Sequence, residues 1–250
     1  MPPGLVIVTG GSRGIGAAIC RRLADDGYAI AVNYAADATA AEATAAEIKK
    51  SGGRAEAFQA DVADPAALHR LFDKATHALG PLAGLVNNAG RTGPVVRVEE
   101  QDAAELTRLF AVNVIATILA CKEAVLRLST KHGGSGGAIV NLSSIAARLG
   151  GLPGLGPYAA TKGAVESFTK GLANEVGPEG IRVNAVAPGM IETDMSQPLL
   201  AQADARQRIE AMTPLRRVGA PEEIAEAVAW LISPAAKFVT GSIMTVSGGR

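Results

Sequence analysis

Seven short apolar runs recur along the chain, at residues 5–8, 28–32, 55–60, 82–86, 138–142, 181–186 and 239–246. The first, Leu5-Val6-Ile7-Val8, is continuous rather than alternating, the pattern of a strand covered on both faces. Between the runs, apolar residues recur at helical spacing. Ile15, Ala18, Ile19 and Leu23 form one stripe, and Leu68, Leu71, Phe72, Ala75 and Leu79 another. Parallel strands need a crossover of helix length between them. The alternation crosses residues 1–250 without a repeat, a low-complexity linker or a break in composition. It predicts an α/β fold in a single domain, a doubly wound seven-stranded parallel sheet flanked by helices on both faces. With 48% hydrophobic residues the chain can fill such a core.

Charge and cysteine content remove several function classes. The 24 basic side chains are balanced by 24 acidic ones, so neither a nucleic acid nor an anionic membrane is an expected partner. Cys20 and Cys121 fall in helical stretches outside any C-x-x-C pair and read as buried small apolar residues. The opening Met1-Pro2-Pro3-Gly4 and the run after it are too short, and lack the basic segment, of a secretory leader. No apolar run was expected to approach membrane-spanning length, and the expected location is cytoplasmic.

After the first strand come Thr9 and then Gly10, Gly14 and Gly16 in a G-x-x-x-G-x-G turn that opens a helix. Glycines there permit a tight turn and let a diphosphate approach helix N–H groups. The second strand ends at Asn33-Tyr34, where a dinucleotide fold that takes NAD would carry an acidic residue for the ribose. Arg13 adds a cation to the glycine turn, and Asp37 is better used as the N-cap of helix 38–50. A cation without an anion predicts a 2′-phosphate, hence NADP in preference to NAD.

Tyr158 and Lys162, four residues apart, share a helix face. An ammonium beside a phenol lowers a pKa ordinarily near 10, and a phenol so tuned can exchange a proton with a carbonyl or alcohol oxygen. By itself the pair describes a solvated helix face as readily. Ser144 ends the fifth strand without a histidine neighbour or a G-x-S-x-G frame, so a role orienting a substrate oxygen, or capping a turn, fits better than a nucleophile. Asn87-Asn88-Ala89-Gly90 suits a ligand crevice and an ordinary turn equally. A long helix is expected over 102–131 with Leu106, Phe110, Asn113, Thr117, Cys121, Ala124 and Leu128 inward. Pattern alone favours Asn113 as a core residue tying down loops over a member of a proton relay. His69 and His77 read as surface residues without carboxylate partners, and no metal site is expected. Residues from Pro188-Gly189 to about 207 carry little strand signal and read as a lid over the substrate.

These motifs, TGGSRGIG (9–16), DV (61–62), NNAG (87–90), Asn113, NLSS (141–144), YAATK (158–162) and APG (187–189) followed by Thr193, resemble the short-chain dehydrogenase/reductase family from Thr9 to Gly249. The tail segments PLRRVGAPEEIA (214–225) and TGSIMTVSGG (240–249) are similar to the branch holding 3-oxoacyl-[acyl-carrier-protein] reductases and sugar dehydrogenases such as glucose 1-dehydrogenase. The resemblance implies a Rossmann fold and an oxidoreductase with Tyr158 as general acid/base and Lys162 lowering its pKa and holding the nicotinamide ribose. It implies Ser144 on the substrate oxygen and Asn113 fixing a water next to Lys162. It implies cofactor contacts from Gly10, Ser12, Arg13, Gly14, Ile15, Gly16, Asn33, Tyr34, Asp61, Val62, Asn88, Ala89, Gly90, Pro188, Gly189, Ile191 and Thr193. A small carbonyl or secondary-alcohol substrate and a homotetramer are also implied. Three features depart from the pattern. Arg91 stands where an apolar residue is usual and could add charge to the crevice, the 145–157 loop is a residue longer than in some relatives, and Ser247 replaces an acid. Two other functions compete. An acyl-carrier-protein reductase would need a basic docking face, for which Arg91, Arg97, Arg148, Arg216 and Arg217 are scattered candidates. A non-catalytic NADP sensor would not need Tyr158, Lys162, Ser144 and Asn113 together.

Overall fold

A computed structural model describes residues 4–250; Met1, Pro2 and Pro3, part of the stretch read against a leader, lie outside it. The seven strands are β1 (Leu5–Val8), β2 (Ala29–Tyr34), β3 (Arg54–Gln59), β4 (Leu82–Asn87), β5 (Gly137–Leu142), β6 (Ile181–Pro188) and β7 (Ile243–Val246). All pair in parallel in the order β3-β2-β1-β4-β5-β6-β7. The order reverses between β1 and β4, so the crevice at their C-terminal ends is the place where such a sheet receives a ligand.

The helices in chain order are α1 (Gly14–Asp25), α2 (Ala38–Lys50), α3 (Pro65–Leu79), α4 (Ala103–Phe110), α5 (Ala116–Leu128), α6 (Ala146–Leu149), α7 (Gly156–Val176), α8 (Gln197–Leu200), α9 (Ala203–Met212) and α10 (Pro221–Ile232). β1 shows why both faces need cover. Val6 and Val8 enter one core with residues of α1, α2 and α10, while Leu5 and Ile7 enter the other with residues of α3, α5 and α7. All four side chains are fully buried. Asp37 and Asp64 cap α2 and α3, their carboxylates accepting from Ala40 N and Ala66 N. Cys20 and Cys121 are buried and unpaired.

Three expectations need correction here. Residues 102–131 are not one uninterrupted α-helix, because α4 and α5 join through a π turn at Ala111–Ile115. The extra residue slips the phase ahead of it, so Leu109 is buried and Phe110 is 37% exposed instead of the reverse. The stretch Ala103–Leu128 is, by length and composition, apolar enough to cross a membrane, contrary to the sequence reading; here Ala120, Cys121, Ala124 and Leu128 pack into the core. His69 does have carboxylate partners, Asp73 one turn along α3 and Glu123 on α5, against which α3 lies. Its Nδ1 is 3.0 Å from Glu123 and its Nε2 3.3 Å from Asp73. Among the described residues no cluster has the makeup of a metal site.

The segment between β6 and α10 is folded as helices α8 and α9 with a small core of Leu200, Ile209 and Val218. Its base is closed by a bridge between Ile191 and Gly219. It is a compact excursion from the sheet, where the sequence suggested an irregular lid.

Candidate active site

The glycine turn follows directly from β1. Gly10 (φ 62°) and Gly14 (φ 53°) occupy the left-handed region that disfavours a side chain. Gly16 is required by contact, since a Cβ there would lie 2.1 Å from Gly10 O and 2.5 Å from Asn88 Nδ2. Arg13, the N-cap of α1, provides no side-chain cap, and the first turn holds no acidic residue. The helix therefore presents N–H groups and a positive dipole end without a resident anion. That fits a phosphate.

The loop after β4 is held against this turn by one hydroxyl. Thr9 Oγ1 accepts from Asn88 N at 3.0 Å and Ala89 N at 3.1 Å. Asn88 Nδ2 in turn donates to Thr9 O at 3.0 Å and Gly10 O at 2.9 Å. Its Oδ1 is the acceptor left for a ligand. Asn33 does not face the crevice. It is 1% exposed, its Oδ1 accepts from Gly10 N at 3.3 Å, and its Nδ2 donates to Ala60 O at 3.0 Å. The expected ribose contact is thus a clamp between β2, β3 and the glycine turn. Ile191 likewise turns its side chain into the core and can offer only main chain. Tyr34 and Ile15 pack partly on the same core. Val62 is buried beside exposed Asp61, whose carboxylate accepts from Ala63 N.

α7 brings the expected acid and cation to one face, as four-residue spacing requires. Lys162 Nζ lies 5.8 Å from the centroid of the Tyr158 ring. Its hydrogen bond, however, goes to Leu142 O at 2.7 Å, at the end of β5. Burial pushes the Lys162 ammonium down to about 8. Burial also raises the Tyr158 phenol above its ordinary range, and the Ser144 hydroxyl beside it pulls the other way. Lys162 is not among the groups that shift the Tyr158 phenol in this arrangement, because its ammonium is turned to a carbonyl and is itself desolvated. Ser144 Oγ accepts from Ala146 N at 3.1 Å, so it caps the turn into α6 as well as facing the phenol.

Asn113 sits in the π turn, 1% exposed. Its Oδ1 accepts from Arg91 N at 2.9 Å, and its Nδ2 donates to Arg91 O at 2.8 Å and Thr161 Oγ1 at 3.0 Å. It ties the loop after β4 to α7 in the turn before Lys162. A Cβ at Gly90 would lie 3.4 Å from Asn113 Oδ1 and 3.6 Å from Lys162 Nζ, so that loop runs between them. Arg91 does not bring free charge to the crevice; it pairs with Glu105 at 2.9 Å, which Arg108 also reaches. Thr193 packs over the glycine turn, its Cγ2 3.3 Å from where a Gly14 Cβ would stand. Pro188 ends β6, and Gly189 turns closely past Ser247.

The sequence reading assigned no role to Thr9, Thr161, Asn141 or Thr169; Asn87, read there as crevice or turn, is linked through Asn141 to Thr169 at 2.9 Å and 2.9 Å. The available signal was a polar residue inside an apolar strand, as Asn141 is in β5, which must find a partner.

The fold and these motifs define a nucleotide-dependent oxidoreductase. Residues 10–250 match the family model described as Enoyl-(Acyl carrier protein) reductase. An uncharacterized oxidoreductase of Escherichia coli, YgfF, is 43% identical over 98% of this chain and 99% of its own length. A Burkholderia cenocepacia short chain dehydrogenase in complex with NADP superposes with a TM-score of 0.90 at 38% identity, covering 99% of this chain and 98% of that one. A 7α-hydroxysteroid dehydrogenase complexed with NADH and 7-oxo glycochenodeoxycholic acid superposes with a TM-score of 0.92 at 33% identity, covering 99% and 94%. The chain belongs to the short-chain dehydrogenase/reductase family.

Proposed function

We propose that the protein is an NADP(H)-dependent oxidoreductase acting on a carbonyl/secondary alcohol pair. The observation that carries this reading is the convergence of Tyr158, Ser144 and Lys162 at the C-terminal ends of β5 and α7's first turns, beside an uncapped helix N-terminus. The nicotinamide supplies or accepts the hydride when bound. Ser144 holds the substrate oxygen, and Tyr158 gives it a proton in reduction or takes one in oxidation. Lys162, released from Leu142 O, holds the nicotinamide ribose and favours the phenolate. Asn113 keeps the loop after β4 in place beside Lys162 and positions a water there. Gly10, Gly14 and Gly16 leave room for the diphosphate, with Ser12 and Arg13 near the adenosine phosphate. Asp61 and Val62 flank the adenine and Asn88 the ribose, Ala89 and Gly90 lead from there toward Lys162, and Pro188, Gly189 and Thr193 flank the nicotinamide.

NADP is favoured over NAD by charge. Arg13 does meet an anion, Asp194 at 3.5 Å, but that pair is exposed on both sides, while the end of β2 carries no carboxylate toward it and Asp37 is engaged with Ala40 N. The Burkholderia neighbour binds NADP, whereas the steroid dehydrogenase is complexed with NADH. A carrier-protein substrate would need a basic docking face, and of the five candidate arginines Arg91, Arg97 and Arg217 each pair with a glutamate, which weakens that reading. The assembled acid argues against a pure sensor. A panel of ketones and secondary alcohols assayed at 340 nm is expected to give turnover with NADPH well ahead of NADH; a preference for NADH would overturn the cofactor assignment.

A further inference from the structure

One cation in the glycine turn has a partner that the cofactor would have to displace. Arg13 Nη1 lies 3.5 Å from Asp194 Oδ2, at the start of the segment carrying α8 and α9. Asp194 is held there by local geometry. Thr193 N donates to Ser196 Oγ at 3.0 Å, and Ser196 Oγ donates to Ile191 O at 2.6 Å. The Ile191–Gly219 bridge closes the base of the segment, with Glu192 N donating to Gly219 O at 2.9 Å. Other carboxylates around the turn have partners of their own: Glu192 pairs with Arg206 at 3.1 Å, Glu47 with Arg21 at 3.2 Å, and Asp37 caps α2. Asp194 is the anion that Arg13 reaches.

We propose that Asp194 is a specificity-determining residue for the cofactor: it latches Arg13 to the substrate segment, and a 2′-phosphate competes it away. The inference rests on the NADP reading of Arg13. Both side chains are mostly exposed, 67% and 72%, so the pair is weak and exchangeable. A phosphate monoester brings nearly twice the charge of a carboxylate and three acceptor oxygens, so it wins the guanidinium. Once Arg13 has turned to the phosphate, Asp194 is left without its cation, and the contact between the segment and the glycine turn is loosened. A cofactor without the 2′-phosphate leaves the latch closed. Asp194 therefore weakens 2′-phosphate binding and links its capture to the segment that covers the substrate.

The test uses adenosine 2′,5′-bisphosphate and 5′-AMP as probes, titrated calorimetrically into the full chain, with amide exchange followed over residues 193–212. Asp194→Asn should tighten the bisphosphate about two- to five-fold, the range set by an exposed ion pair, and leave 5′-AMP unchanged. In the unsubstituted protein the bisphosphate, and not 5′-AMP, should speed exchange in 193–212. Arg13→Gln should abolish the preference for the bisphosphate. If Arg13→Gln does so while Asp194→Asn moves both probes equally or neither, the latch is wrong and the NADP reading stands. If Arg13→Gln keeps the preference, the NADP reading of Arg13 fails and the latch with it.

Discussion

Lys162 shows how burial can set a residue's chemistry before any ligand arrives. Only 5% exposed, it donates to Leu142 O, and its ammonium is pushed down to about 8. The sign of the pH effect follows. Below about pH 8 the folded and unfolded chains both carry the proton, and the full desolvation cost stands. Between about 8 and the ordinary lysine value the unfolded chain keeps a proton the folded chain has lost, so stability rises with pH. Lys162→Met removes this linkage. Measured by denaturant midpoint, its stability relative to the unsubstituted protein should be greatest below pH 8 and fall as pH rises toward 10, by at most about 3 kcal/mol. A difference that does not vary with pH would contradict the assignment. The loss of a partner for Leu142 O shifts the whole curve and leaves its slope alone.

Among the elements, the π turn between α4 and α5 does two things. It places Asn113 toward Arg91 and Thr161, and it rotates the preceding helix so that Phe110 faces outward. With Ile115 at 52%, Ile118 at 39% and Leu126 at 45% exposure, these helices present apolar side chains without cover. Scattered singly such residues need no explanation, but several on one helical run make this the face to test for the homotetramer that the family resemblance implies. Ile115→Glu should lower the mass seen by light scattering while leaving the circular dichroism of the fold intact. An unchanged mass would remove this face from the assembly. The turn itself was hidden in the sequence, because inserting one residue into a helix alters neither composition nor apolar content. Only the buried asparagine hinted at it.

For the whole molecule, the sheet was legible because its strands are short and bounded and most are apolar, β3 (RAEAFQ) least so, and because parallel pairing leaves few ways to connect them. Tyr158 and Lys162 could be put on one helix face by their four-residue spacing, and the glycines in one turn by their place after β1, whereas the roles expected of them and of Ser144 came from the family resemblance. Direction was not legible. Whether Asn33 points to the crevice or into the clamp at Gly10 and Ala60 depends on the twist of β2 against β3. Whether Lys162 meets the phenol or Leu142 O depends on how deeply α7 sits on β5. Likewise the helices α8 and α9 are held by a small core of their own rather than by strong local pattern. In the proposed reaction Tyr158 transfers the proton, in a site assembled around it. This step is tested by single-turnover hydride transfer in Tyr158→Phe, with cofactor affinity measured on the same preparation. The expected result is a rate lower by about 10²–10⁴ with cofactor binding unchanged; a rate that survives the substitution would contradict it.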